Sequence, residues 1–209
     1  MFTARTGKSK SLGICRDAAV RGYPSALNRA GRIYGAEDHD LGLSYLAESI
    51  EQARRLADGW FWYAGLVEYA EMSYRAWVKT GQDHYRDQIL ARTDDIQRAM
   101  SEYHLPDQAG RWNVVRGHLS MHDWEASGTA GSLSAALSYY KKGFEGIAAE
   151  GHAGSSGPSV IPETFKTFGD LFRRLPADVQ ATWYRALRTA WLGSEKASTL
   201  LLPRLEELY

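Results

Sequence analysis

The sequence predicts an all-α fold, a short α-solenoid of antiparallel helical hairpins. Apolar residues recur at steps of three and four, as in the stripe formed by Tyr63, Val67, Ala70, Tyr74 and Trp77. Glycine, proline and short polar pairs interrupt such stripes at intervals typical of helix lengths. No window alternates apolar and polar residues for long enough to indicate a strand. Because the interruptions are short, we expect successive helices to run antiparallel.

About ten helices follow from these interruptions, within one helical-repeat domain over residues 1–209. We expect an N-terminal arm and helix over 1–22, repeat hairpins over 23–150, a flexible loop over 151–158 and capping helices over 159–209. The predicted helices span 11–21, 24–35, 40–57, 59–80, 83–103, 110–129, 132–150, 159–174, 177–192 and 195–208.

Capping residues support several of these boundaries. Asp40 and Ser132 stand at the very start of a predicted helix, before Leu41 and Leu133, where a short side chain with an oxygen accepts hydrogen bonds from free N–H groups. Gly81 follows the helix over 59–80, at the place where a left-handed residue often ends a helix. The tract Gly151–Gly157 is rich in glycine and serine and therefore predicts the loop.

Composition and charge exclude several classes of protein. The 209 residues carry 25 basic and 25 acidic side chains, so the chain lacks the basic excess typical of nucleic-acid-binding proteins. No apolar run reaches the roughly 18 residues of a membrane span, and the N-terminus shows no apolar segment of a secretory signal. Cys15 has no second cysteine with which to pair, which favours the cytoplasm. We therefore expect no nucleic-acid partner, no membrane and a cytoplasmic location.

Three helix starts are similar to one another. They are Asp40–Leu46, Gln82–Ile89 and Ser132–Tyr140, and each follows a polar or glycine-containing turn. The helix before the third start carries Trp124 and Ala126. These segments resemble the tetratricopeptide repeat, a helical hairpin with tryptophan, leucine-glycine and tyrosine on its first helix and alanine on its second.

The resemblance is clearest over residues 110–150 and extends over 40–103, with repeats spaced by more than forty residues against about 34 in that family. It implies a degenerate repeat protein that binds an extended peptide along its concave face through asparagine and basic side chains. The residues that match this role at helical spacing are Asn28, Arg32, Asn113 and Arg116. Ordinary salt bridging of these arginines with glutamates such as Glu68 is the competing interpretation.

Other segments are similar to the helical C-terminal regions of bacterial multidomain signalling ATPases. They are Tyr23–Ala30, Asp58–Phe61, Gly110–Trp112 and Gly117–Leu119. In those proteins the helices sense a trigger or bind a partner, while another domain performs the chemistry. The resemblance therefore implies a non-catalytic adaptor or sensor of a signalling or defence system, with a protein or peptide as its partner.

The alternative function is a helical enzyme that depends on a metal or a small ligand. His118 and His122 are four residues apart, so both imidazoles project from one side of a helix, as in many metal sites. Glu68 or Glu71 would supply a third ligand. Leu119 stands where a zinc protease has its glutamate, and chance often produces such histidine pairs. The sequence therefore predicts no metal and no cofactor.

Patterns for other catalytic chemistry are incomplete. The tripeptide Gly7-Lys8-Ser9 lacks the earlier glycine and the preceding strand of a phosphate-binding loop. Cys15 has no neighbouring histidine, and Ser155 and Ser156 follow no strand. We therefore predict that the chain is not an enzyme.

The last predicted helix is unusually rich in leucine. It carries Leu200, Leu201, Leu202, Leu205 and Leu208. This apolar surface either caps the last repeat or contacts a partner or a second copy, so a homo-oligomer formed through this helix is a further expectation.

Overall fold

The computed structural model describes residues 22–149 and 157–209, which form helices joined by short turns and contain no strand. The helices are α1 Pro24–Tyr34, α2 His39–Arg55, α3 Gly59–Thr80, α4 Asp83–Ala91, α5 Thr93–Glu102, α6 Pro106–Ser127, α7 Ala130–Ala149, α8 Gly157–Phe172, α9 Ala177–Leu192 and α10 Glu195–Leu208. The predicted all-α class is confirmed. None of these helices is long and apolar enough to cross a membrane.

The chain divides into two compact units, Met1–His104 and Leu105–Tyr209, which we call unit 1 and unit 2. Helices α1 to α5 belong to unit 1 and helices α6 to α10 to unit 2. Within each unit, most helices that are joined by a short turn pack against each other, as α1 does on α2 and α6 on α7. The single domain and the solenoid arrangement stay predictions.

The helix predicted over 83–103 is divided at Arg92. This residue has φ −96° and ψ −5°, and its N–H donates to the carbonyl of Ile89, so the chain turns tightly here. Ile89 and Ile96 are both fully buried, and the guanidinium carbon of Arg92 lies 5.1 Å from the ring centroid of Tyr69 on α3. Ile89 and Ile96 are seven residues apart and would share one face of a continuous helix too, so their burial does not require the division.

Two of the predicted caps are wrong and one is confirmed. Asp38, rather than Asp40, caps α2, because its carboxylate accepts the hydrogen bond from the N–H of Leu41 at 3.0 Å. Ser132 lies inside α7, which begins two residues earlier than predicted. Gly81 ends α3 in the left-handed conformation, with φ 70°.

Some predictions fall on residues that the structure does not describe. The N-terminal helix over 11–21, the tripeptide Gly7-Lys8-Ser9, Cys15, and the serines Ser155 and Ser156 lie outside the described residues. So does most of the predicted loop over 151–158, although α8 already begins at Gly157.

Glycines bring α6 and α7 into backbone contact in unit 2. A Cβ atom on Gly110 would lie 2.6 Å from the carbonyl oxygen of Gly143, and one on Gly143 would lie 3.0 Å from the carbonyl oxygen of Gly110. Any side chain at either position would therefore force the helices apart. Next to this contact, the ring of Tyr140 packs 4.7 Å from Phe168 and 6.0 Å from Trp183, measured between centroids. The centre of unit 2 is thus an aromatic cluster beside a tight helix crossing.

Candidate functional site

The predicted binding residues of unit 1 lie on α1, and only one of them is accessible. The Asn28 side chain is 6 % exposed, and its amide nitrogen has no hydrogen-bond partner among the described residues. Its burial removes it from the surface that unit 1 offers to a partner. Arg32 is half-exposed and lies 3.6 Å from the buried carboxylate of Glu68 on α3. Arg32 therefore forms a salt bridge with Glu68, as the competing interpretation expected.

The other two predicted residues lie on α6 in unit 2. Asn113 is partly buried. The guanidinium carbon of Arg116 stacks 4.0 Å from the ring centroid of Tyr139 on α7, and its Nη2 donates a hydrogen bond to the Tyr139 hydroxyl. Arg116 is only partly buried, so one face of its guanidinium remains available for contact with a partner. The four predicted residues thus fall two in each unit.

Both histidines of the alternative function already interact with other side chains of unit 2. His118 is buried, and its Nδ1 lies 2.8 Å from the hydroxyl of Tyr140. Burial, with a smaller contribution from His122, lowers the pKa of His118 to about 3, so the ring is neutral. His122 lies 3.3 Å from Glu125 on its own helix. In the described part of the chain, no three histidine, cysteine, aspartate or glutamate side chains form a group that could hold a metal ion.

The leucines of α10 pack into the core of their own unit. Leu201 and Leu205 are fully buried and Leu202 nearly so, while Leu200 and Leu208 pack against the same cluster from its edge. The apolar face that suggested a contact with a second copy is therefore the inner face of a core helix. The capping interpretation of this helix agrees with its burial.

The turn between α2 and α3 forms a surface that the sequence did not predict. Leu56 and Trp60 flank this turn, and their side chains are 63 % and 50 % exposed. Between them Ala57 adopts a left-handed conformation with φ 54°, which is unfavourable for a residue with a Cβ atom. The carboxylate of Asp58 then accepts the N–H of Phe61 at 3.1 Å and begins α3. This tight turn leaves two large apolar side chains facing outward.

A pocket of about 230 Å³ opens beside this turn. Its aromatic walls are Trp62 and Tyr103, whose ring centroids lie 6.2 Å apart in an edge-to-face arrangement. Gly59 makes the approach of Tyr103 possible, because a Cβ atom there would lie 2.1 Å from the tyrosine ring. We call the pocket together with Leu56 and Trp60 the turn surface of unit 1.

Two arginines and two acids complete the pocket. The guanidinium carbon of Arg98 lies 5.9 Å from the Trp62 ring centroid, and Arg98 also pairs with Asp95 on the same helix. Arg54 lines the pocket from α2, and Asp58 and Glu102 supply one carboxylate each. Tryptophan, tyrosine and arginine are the residue types enriched at the energetic centres of protein interfaces. The arrangement can therefore accept an apolar side chain within a polar rim.

A signal for this surface exists in the sequence, but it is weak. Asp58-Gly59 marks a turn, and Leu56 and Trp60 lie on either side of it. Helical spacing alone predicts that Trp60, like Trp112, fills a gap between helices, but only Trp112 is buried. Only the conformation of the turn decides which of them faces outward.

The chain matches no protein-family model, no curated protein and no solved structure.

Proposed function

We propose that this protein is a non-catalytic binding module that recognises a segment of another polypeptide through the turn surface of unit 1. The observation that supports the proposal is the exposure of Leu56 and Trp60 beside a pocket walled by Trp62 and Tyr103. Most large apolar side chains of unit 1 are buried, so two exposed neighbours at one turn are a feature that calls for a partner.

Burial of these side chains would contribute free energy to association. Covering apolar area is worth about 25 cal/mol per Å², so the exposed halves of a tryptophan and a leucine together supply roughly 2–4 kcal/mol. Interfaces concentrate their binding energy in a few such residues. The turn is held by the Asp58 cap, and a partner therefore meets a surface that needs little reordering.

The charges of the pocket narrow the chemistry of the segment that binds there. Arg54 and Arg98 each pair with an acid on their own helix, Glu51 and Asp95. Asp58 and Glu102 also line the pocket, so it has no excess of positive charge that would attract an acidic peptide. The segment therefore carries a bulky apolar side chain for the pocket, flanked by uncharged polar residues that bond to the rim. This chemistry distinguishes the proposed partner from a nucleic acid or an acidic tail.

The wider role stays part of the same proposal. An adaptor or sensor in a signalling or defence system, located in the cytoplasm, is what the resemblances and the unpaired cysteine imply. Arg32, Asn113 and Arg116 remain predicted contacts of the partner. The non-catalytic character also rests on the sequence, where no catalytic pattern is complete.

A displayed library of random peptides tests the proposal. Peptides selected on the wild-type chain are titrated against a Leu56→Ser, Trp60→Ser double variant and against a matched Val78→Ser, Leu90→Ser variant. Val78 and Leu90 are exposed to a similar extent in the same unit but lie outside the turn surface. We expect the first variant to weaken binding at least about tenfold, since 1.4 kcal/mol is a factor of ten.

The control variant is expected to bind as the wild type does. Equal loss in both variants, or a library that yields no binding peptide, would overturn the proposal. Selected peptides rich in acidic or basic residues would contradict the assignment of an uncharged segment.

A further inference from the structure

A second pocket, of about 180 Å³, lies between α8 and α10 in unit 2. The lining positions within α8 and within α10 follow steps of three and four residues, so each helix contributes one face. Arg173 follows the last residue of α8. The lining residues are Pro162, Phe165, Lys166, Arg173, Arg204, Glu207 and Leu208. The site belongs to unit 2 and is independent of the turn surface.

Three of the seven lining residues are basic, and two of these three have no partner among the described residues. In the part of the chain that the structure describes, neither Lys166 nor Arg204 forms a side-chain hydrogen bond or an ion pair. Arg173 pairs with Asp170 at 3.3 Å, but both side chains are more than half exposed, so water screens the pair. The two free cations face a pocket instead of a carboxylate.

The balance of charge matches a ligand with a single negative charge. Arg173 is already paired with Asp170, which lies outside the lining. The other charged lining residues, Lys166, Arg204 and Glu207, leave one net positive charge. A dianion such as phosphate would exceed this charge and would also meet Glu207. A monoanion is therefore the better electrostatic complement.

The remaining lining is apolar and limits the size of the ligand. Phe165, which is buried, and Leu208, which is half-buried, both line the pocket. The volume corresponds to roughly six water molecules at about 30 Å³ each, which suffices for a carboxylate and a short hydrocarbon group. An inorganic anion would leave these apolar side chains in contact with water.

We infer that the pocket between α8 and α10 binds a small organic acid, a carboxylate carried on an apolar group. The guanidinium of Arg204 offers two parallel N–H donors to the carboxylate, and Lys166 adds a positive point charge. The apolar group packs on Phe165 and Leu208. A free acid and the C-terminus of a peptide that ends in an apolar residue share this chemistry.

Titration of the full chain, labelled with ¹⁵N and followed by NMR, tests the inference. The probes are benzoate, acetate and the neutral analogue benzamide. We expect saturable shifts with benzoate at amides of α8 and α10, binding of acetate at least about tenfold weaker, and no saturation with benzamide. Short peptides ending in phenylalanine, with a free or an amidated C-terminus, show whether the carboxylate can also come from a polypeptide.

Variants identify the residues responsible. Arg204→Gln and Lys166→Gln are each expected to weaken benzoate at least about fivefold, while Arg188→Gln removes one exposed charge from α9 and leaves binding unchanged. Unchanged melting temperatures show that the variants fold. The inference is overturned if no acid or free C-terminus binds saturably, if benzamide binds as well as benzoate, or if Arg188→Gln weakens binding as strongly as Arg204→Gln.

Discussion

The hydroxyl of Tyr85 on α4 donates a 2.8 Å hydrogen bond to the carboxylate of Asp40 in the first turn of α2. This bond connects two helices of unit 1 that are far apart in sequence. It also raises the pKa of Tyr85, because deprotonation would remove the donor and place two negative charges together.

Replacement of Tyr85 by phenylalanine is expected to lower the free energy of unfolding by about 1 kcal/mol at neutral pH. The pKa of Tyr85 is higher in the folded than in the unfolded chain, so its contribution is complete below pH 10 and is lost as the pH rises through the raised value. Urea unfolding at neutral and alkaline pH should therefore show that the difference in the free energy of unfolding between the wild type and Tyr85→Phe narrows above about pH 10. Tyr23→Phe, at an exposed tyrosine, should change neither quantity. A difference that stays constant with pH would contradict the role of the bond.

His118 should make unit 2 sensitive to acid. Its pKa falls from 6.5 to about 3 on folding, so the unfolded chain takes up the proton first. The contribution to stability is complete above pH 6.5 and is lost as the pH falls towards 3, with a total of several kcal/mol. Unfolding measured across this range should show a smaller acid loss in His118→Gln than in the wild type. His104→Gln, at an exposed histidine, should retain the wild-type profile, and an identical profile in His118→Gln would refute the assignment.

The contact between Gly110 and Gly143 should tolerate no side chain. Gly143→Ala places its Cβ atom 2.7 Å from a methyl group of Val114 and 3.0 Å from backbone atoms of α6, so we expect a loss of about 1–3 kcal/mol. Gly131→Ala in the same helix has only one neighbour, at 3.8 Å, and should be neutral or stabilising by up to about 1 kcal/mol. Thermal unfolding of the two variants makes the comparison, and equal melting temperatures would show that the helices can separate without cost.

The left-handed residue in the turn surface offers a stabilising substitution. Ala57→Gly relieves the contact of Cβ with the backbone at φ 54°, so the free energy of unfolding should rise by about 0.5–1 kcal/mol. Ala91→Gly, in ordinary helical conformation at the end of α4, should instead lower it by a similar amount. Chemical denaturation distinguishes the two signs. A decrease in both variants would show that the turn has another conformation in solution.

Helix positions were predictable from the sequence because glycine, proline and periodic apolar residues determine them locally. The division at Arg92 was not, since neither glycine nor proline marks it, and the stacking of Arg92 on Tyr69 is a contact between helices that sequence patterns do not contain. The cap of α2 was misplaced because Asp38 and Asp40 are chemically equivalent, and only the backbone conformation selects one. Asn28 lies on the face of α1 that also holds Pro24 and Gly31, and the structure buries all three, although none of these residue types marks an apolar face.

The candidate sites depend on geometry that sequence patterns do not contain. Trp60 and Trp112 are both tryptophans in helices of 22 residues, yet one faces outward and the other is buried. The pocket of unit 2 joins Lys166 and Arg204, which are distant in sequence and show no shared motif. In both cases the packing of helices, and not the residue types, decides which groups meet.

The crossing of α6 and α7 constrains the length of the chain as well as its composition. Gly110 and Gly143 meet because each lies a fixed number of residues from the short turn at Gly128. A one-residue insertion in α7 before Gly143 would rotate that glycine by about 100° and present a larger neighbour to α6. Insertions and deletions should therefore be rejected in this hairpin during evolution, even at exposed positions where point substitutions are harmless.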